Sequence, residues 1–164
     1  MKPIRIHEYG GAGGVGTMAI QMAKALGAKV VTTASGSGID LVKSLGADEV
    51  IDYQATNFKA VVKDADVVLD LIGGQRQEDS WGVLKKGGFL VATSFPPAKE
   101  KAEQFGVRAQ FIFTQPSGVA LEEIAAMVDG GKLRPVISAE ISLANAQQAH
   151  EAKGSNGKTA IRVE

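Results

Sequence analysis

The run Gly11-Ala12-Gly13-Gly14-Val15-Gly16 lies between an apolar, strand-like stretch from Ile4 to Tyr9 and a helical one from Val15 to Leu26. Its glycines carry the spacing of a turn that grips phosphate. Gly11 and Gly13 let the chain turn sharply and bring backbone up to an anion with no Cβ in the way, and Gly16 lets the helix pack close to the strand. Gly14 and Val15 stand where the first N–H groups of the helix, and the positive end of its dipole, point at bound negative charge. In a strand, turn and helix context this suits the pyrophosphate of a dinucleotide; a glycine-rich turn with no ligand is the alternative that the same spacing allows.

The end of the second strand selects among dinucleotides. NAD sites place Asp or Glu there, about 20 residues past the glycines, to accept from the ribose hydroxyls. Here the stretch is Val31-Thr32-Thr33-Ala34-Ser35-Gly36-Ser37, without an acid. The missing carboxylate removes the repulsion that an adenosine 2′-phosphate would meet, and Ser35 and Ser37 supply hydroxyls, so NADPH is expected over NADH. No Arg or Lys stands in that loop. Lys43, a turn into the next helix, is either a cation that reaches in to the phosphate or a solvated surface lysine.

Other catalytic constellations are missing. Tyr9 and Tyr53 have Gly13 and Asn57 four residues on, so no Tyr-x-x-x-Lys pair exists. His7 and His150 are far apart, without cysteine or a His-Glu motif beside them, and no metal site is expected. Ser94 and Ser117 lack a nucleophile-elbow context. Met18, Met22 and Met127 fall at core spacing and are assigned to packing.

These residues must be positioned by alternating strands and helices. After the first helix come the β-branched run Lys29 to Thr33, a short helix from Ile39 to Leu45, the strand Glu49 to Asp52, and a helix from Asn57 to Val62 capped by Thr56. Ala65 to Ile72 is continuously apolar enough for a central parallel strand. Arg76 to Leu84 is expected as a helix ended by Gly87-Gly88, and Phe89 to Thr93 as a strand. Pro96-Pro97 opens a helix through Gln104, Val107 to Phe113 is a strand, and Val119 to Val128 a helix. Val136 to Ile141 and Thr159 to Val163 flank a last helix from Ala144 to Ala152. So many βα units imply an α/β fold, a doubly wound parallel sheet with helices on both faces. The ligand is then expected beyond the C-terminal strand ends, beside the loops Gly11 to Gly16, Ala34 to Ser37, Ile72 to Gln75, Ser94 to Pro97 and Thr114 to Ser117.

Composition sets the outer bounds. At 164 residues with 45 % hydrophobic content, one domain spanning 1–164 is expected. Eighteen basic and eighteen acidic residues cancel, so no global charge draws the chain to nucleic acid or an anionic membrane. There is no cysteine, hence no disulfide framework or thiolate metal site. Met1-Lys2-Pro3-Ile4-Arg5 lacks the apolar stretch of a signal peptide, and a cytoplasmic location is expected.

The string Gly11 to Ala28, the loop Thr33-Ala34-Ser35 and the segment Lys43 to Tyr53 together resemble the zinc-independent quinone oxidoreductases, the ζ-crystallin type of the medium-chain dehydrogenase/reductase superfamily. Val67 to Gly74, Gln115-Pro116-Ser117-Gly118, Gly131 to Ile137 and the ending Gly157-Lys158-Thr159-Ala160-Ile161 continue the resemblance in order. It implies an NADP(H)-binding Rossmann domain whose glycine turn holds the pyrophosphate. Ser35 and Tyr53 match positions near the 2′-phosphate, and Ile72, Gly73, Ser94 and Phe113 match loop positions beside the ribose and nicotinamide. Tyr53 has a second reading, a ring packed at the sheet edge. A basic residue common in the family near Ser37 is absent here.

Family members are about twice as long, because a GroES-like domain precedes the nucleotide-binding half and supplies much of the catalytic surface. Met1 to Gly10 resembles their extreme N-terminus, as though the two ends had been joined, which makes Ile4 to Tyr9 a substitute first strand. Arg5, His7 and Glu8 then fall in a strand normally apolar on both faces. The expected activity is hydride transfer from NADPH to a quinone or enone, impaired without the second domain. The alternatives are a non-catalytic nucleotide-binding module or regulator and an S-adenosylmethionine methyltransferase; the latter usually wants the acid that the second strand lacks. A homodimer through the Val107 to Phe113 edge is also expected.

Overall fold

The structure, a computed structural model, describes residues 3–7 (as backbone), 14–151 and 157–163. Six parallel strands form one sheet in the order β3-β2-β1-β4-β5-β6: β1 Pro3–His7, β2 Lys29–Ala34, β3 Glu49–Asp52, β4 Ala65–Asp70, β5 Leu84–Ala92 and β6 Arg108–Phe111. The helices α1 Gly14–Ala25, α2 Gly38–Ser44, α3 Phe58–Val61, α4 Gly74–Trp81 and α5 Lys99–Phe105 fill the crossovers. This is the doubly wound order, reversing between β1 and β4. The N-terminal strand takes the central place, paired with β2 on one side and β4 on the other, with Ile6 opposite Thr32 and Leu69.

Sheet and helices meet in two cores because successive strand residues point to opposite faces. On β2, Val30 joins Ile20, Ala23 and Val42 on the α1 and α2 side, while Val31 joins Phe58, Val68, Trp81 and Leu90 on the α3 to α5 side. Trp81, the one tryptophan, is 1 % exposed and stacks on Phe105 with centroids 6.3 Å apart. Helix α1 ends in a Schellman motif, Ala28 N–H to the Ala23 carbonyl and Gly27 N–H to that of Lys24, with Gly27 at φ +77°. At the N-terminal edge of the sheet Asp48 accepts from Lys24 Nζ at 2.8 Å and from the Val30 N–H at 2.6 Å. Those two donors hold its carboxyl below the ordinary aspartate value.

Several element boundaries depart from the sequence reading, each for a local reason. Asn57, not Thr56, caps α3, accepting from the Lys59 N–H at 3.1 Å. Pro96-Pro97 precede α5, which starts at Lys99 behind Ala98. Gly87-Gly88 lie inside β5 instead of ending a helix at Leu84: the strand starts at Leu84 opposite Ala65, and a register shift follows. A Cβ at Gly88 would stand 2.8 Å from the Lys85 carbonyl, so close backbone approach, not helix termination, requires glycine there. Glu8 to Gly13 lie outside the described residues.

The C-terminal strands leave the sheet. Helix α6, Gly118–Asp129, is capped by Ser117 and is followed by β7 Ile137–Ser142, a 3₁₀ turn Leu143–Asn145, α7 Ala146–Glu151 and β8 Lys158–Arg162. β7 and β8 pair in parallel as a separate two-stranded sheet. Gln21 of α1 ties the segment between α6 and β7 to the main body, donating to the Arg134 carbonyl at 3.0 Å and accepting from the Arg134 N–H at 2.9 Å.

Candidate functional site

Because all six strands run parallel, their C-terminal ends lie along one edge of the sheet, and the crevice at the β1/β4 reversal opens there. Three groups of candidate residues meet this edge. The first is the start of α1. Gly11 and Gly13 lie outside the described residues; Gly14, Val15 and Gly16 form the first turn of the helix, which carries no acidic side chain. The positive end of its dipole is therefore not offset by a carboxylate of the helix's own first turn. A Cβ on Gly14 would overlap the ammonium-bearing end of Lys158, brought from β8. A cation thus stands at the place where an anion is expected. No local sequence signal connects Lys158 to Gly14, since 143 residues of chain separate them and only folding brings them together.

The second group lies past β2 and β3. Ser35 Oγ donates to the Tyr53 hydroxyl at 2.6 Å, and Tyr53 is half-buried. The Tyr53 N–H also reaches the Ala34 carbonyl at 3.3 Å, which keeps the two strand ends together. Asp52, opposite Ala34 in the register, turns its carboxylate back to accept from the Gln54 N–H at 3.0 Å. Lys43 is exposed on α2.

The third group lies past β4, β5 and β6. Ile72 and Gly73 both donate their N–H to Asp70, and Ser94 Oγ donates to the Leu71 carbonyl at 2.7 Å. Gly73 adopts φ +80° and ψ −161°, a region open essentially to glycine alone. A Cβ on it would run into the Phe95 ring, which is itself 60 % exposed. Phe113 stands apart: it is 80 % exposed beyond the end of β6, with the Ile112 N–H bonded to the Ala92 carbonyl. Asp70 and the Leu71 carbonyl thus tie Ile72, Gly73 and Ser94 into one loop pair. Sequence reasoning missed Asp70, Gln77 and Phe95, which hold this loop pair; the Asp in Leu69-Asp70-Leu71 offered only a polar residue at the end of an apolar run.

The carboxylates with displaced titration lie elsewhere. Asp48 is at the opposite edge. Asp79 is on α4, where burial works to raise its pKa and the hydrogen bonds from Gln75 and Lys59 outweigh it. Neither marks a general acid or base at the strand ends. Among the described residues no three His, Asp or Glu side chains come together, and the sequence has no cysteine, so these residues do not fit a zinc centre. What the edge offers is a helix start beside a cation, a hydroxyl pair and a glycine-only loop, groups of the kind that can hold an anionic ligand.

Known proteins share this fold. Residues 45–160 match the family model described as zinc-binding dehydrogenase. The NAD(P)H oxidoreductase RTN4IP1, mitochondrial, of Danio rerio is 34 % identical over 97 % of this chain and 49 % of its own length. The NADPH-dependent alkenal/one oxidoreductase, chloroplastic, of Arabidopsis thaliana is 38 % identical over 77 % of this chain and 31 % of its own. The quinone oxidoreductase of Coxiella burnetii superposes with a TM-score of 0.87 at 35 % identity, over 99 % of this chain and 53 % of that one. The chain therefore spans about half the length of the relatives it matches over nearly its whole length.

The expectation of a cytoplasmic location is overturned by relatives whose names place them in mitochondria. A cysteine-free composition reports a tolerance of reducing conditions, which more than one compartment provides. No helix among the described residues is long and apolar enough to cross a membrane. By its match over residues 45–160, its order of parallel strands and its relatives, the chain belongs to the zinc-binding dehydrogenase family, within the quinone oxidoreductase type of the medium-chain dehydrogenase/reductase superfamily.

Proposed function

We propose that residues 1–164 act as one NADP(H)-binding unit of a reductase that passes hydride from NADPH to a quinone or enone. The observation that carries the reading is the Ser35 and Tyr53 hydroxyl pair at the ends of β2 and β3, with no acid between Val31 and Ser37. Two hydroxyls without a facing carboxylate favour a 2′-phosphate over a bare ribose diol. The α1 start, with Lys158 beside Gly14, takes the pyrophosphate; the 72–73 loop, Ser94 and Phe113 take the ribose and nicotinamide. Held by these residues, NADPH would supply the hydride and solvent the proton for reduction of the acceptor. The protein's part is orientation and exclusion of water.

Titration of nucleotide fluorescence with NADPH, NADH and S-adenosylmethionine tests the reading. NADPH is expected to bind tightest, with NADH weaker by about tenfold, the loss of one phosphate's hydrogen bonds. Binding of S-adenosylmethionine without NADPH would overturn it. In the same cuvette NADPH oxidation with a quinone acceptor is expected to be slow for residues 1–164 alone, because Phe95 and Phe113 leave the nicotinamide end open to water. Binding with no oxidation at all favours the non-catalytic module.

We also propose a homodimer through the β6 edge. β6 is the last strand of the sheet, and Ile112 and Phe113 beyond it are exposed. An unpaired edge flanked by apolar side chains invites pairing with its twin. Sedimentation at micromolar protein is expected to give a dimer; a monomer at every concentration removes this proposal.

A further inference from the structure

Asp70 closes β4 and is 0 % exposed, an expensive place for a carboxylate unless donors fill its lone pairs. They do. Oδ1 accepts from the N–H of Ile72 at 3.0 Å and of Gly73 at 2.9 Å, and Oδ2 accepts from Gln77 Nε2 at 3.0 Å. The same Gln77 amide nitrogen donates to the Phe95 carbonyl, also at 3.0 Å. A continuous set of bonds therefore runs from the loop after β4, through α4, to the loop after β5. Gln77 is itself buried, and neither side chain reaches the open face of the crevice.

An apolar pair of the same volume would fill this space at lower cost, since buried charge is retained for geometry more readily than for stability. The geometry fixed here is specific: the Gly73 backbone in its glycine-only conformation, and Phe95 held against it. We propose that Asp70 and Gln77 are positioning residues for the nicotinamide end of the cofactor, clamping the 72–73 and 94–95 loops in one relative placement without touching the nucleotide. The proposal rests on the NADPH reading above.

Two variants and two ligands test it. Gln77→Leu removes both donated bonds. The double variant D70N/Q77E keeps a hydrogen bond between 70 and 77 with donor and acceptor exchanged, but leaves the Phe95 carbonyl without a donor, and it carries the test if Gln77→Leu does not fold. Each is titrated with NADPH and with 2′-phospho-ADP-ribose, which has the adenosine and pyrophosphate but no nicotinamide. The expected result is a Kd for NADPH raised about tenfold in both variants, with that of 2′-phospho-ADP-ribose within about twofold of the unaltered chain. Equal weakening of the two ligands, or no change in either, overturns the clamp. Failure of the unaltered chain to bind either ligand overturns the NADPH reading instead, so the two failures are distinct.

Discussion

Trp81→Ala is expected to destabilise the protein by about 3–5 kcal/mol, the range for emptying a large aromatic site in a packed core. The ring is 1 % exposed among Phe58, Val68, Val83 and Leu90, between α4 and the sheet face that carries β4 and β5. Its stack on Phe105 ties α4 to α5, so the cavity would open between two helices and the sheet at once. Domains of this kind hold about 5–15 kcal/mol in total, and the loss is a large share of it. Trp81→Phe separates volume from polarity. The indole Nε1 is buried with no hydrogen-bond partner among the described residues, so phenylalanine gives up no bond and removes an orphaned donor. Its cost is expected to stay under about 2 kcal/mol, well below that of alanine. Urea unfolding followed by circular dichroism, which does not need the tryptophan signal, measures both. Equal costs for the two variants, or an alanine cost under 1 kcal/mol, would show that Trp81 is not the keystone of that core.

The parts of this fold that sequence conveyed are those governed by neighbours in the chain. β3 falls at Glu49-Val50-Ile51-Asp52, where the adjacent β-branched pair puts it, and the centrality of β4 follows from a run too apolar for one covered face. The errors arise where a residue answers to a distant partner. Gly87-Gly88 resemble a helix stop until the Ala65 carbonyl is found beside Gly88. The last two strands carry the β-branched signature of the others, yet pair only with each other, because periodicity says that a strand forms and not which sheet it joins. The site divides in the same way. Ser35 is marked by its place past the second strand and Tyr53 by the family resemblance alone, and neither shows their mutual bond; Lys158 and Gln77 come from other segments and carry no local mark.

Gly73→Ala is expected to cost the chain about 10- to 100-fold in NADPH affinity, from about 1–3 kcal/mol of backbone strain in a loop that must keep its shape to bind. At φ +80° and ψ −161° a Cβ meets its own backbone, and in this loop it also enters the Phe95 ring. The loop has two ways to yield, and both spoil the crevice. If Gly73 leaves its conformation, its N–H leaves Asp70, and a buried carboxylate loses one of its donors. If the conformation is kept, Phe95 must move off, and with it the backbone that Gln77 holds. Gly74→Asn is the matched control. Gly74 sits at φ +56°, where asparagine is tolerated, and a Cβ there meets nothing within 4 Å. Its effect on NADPH affinity is expected to stay within about threefold, a shift of well under 1 kcal/mol. Titration of both variants, with thermal unfolding to confirm that each is folded, decides between a loop whose shape binds and one that merely connects. Were Gly73→Ala to bind NADPH as the unaltered chain does, the ribose and nicotinamide would have to lie elsewhere along the strand ends, because no alanine can hold that backbone unstrained.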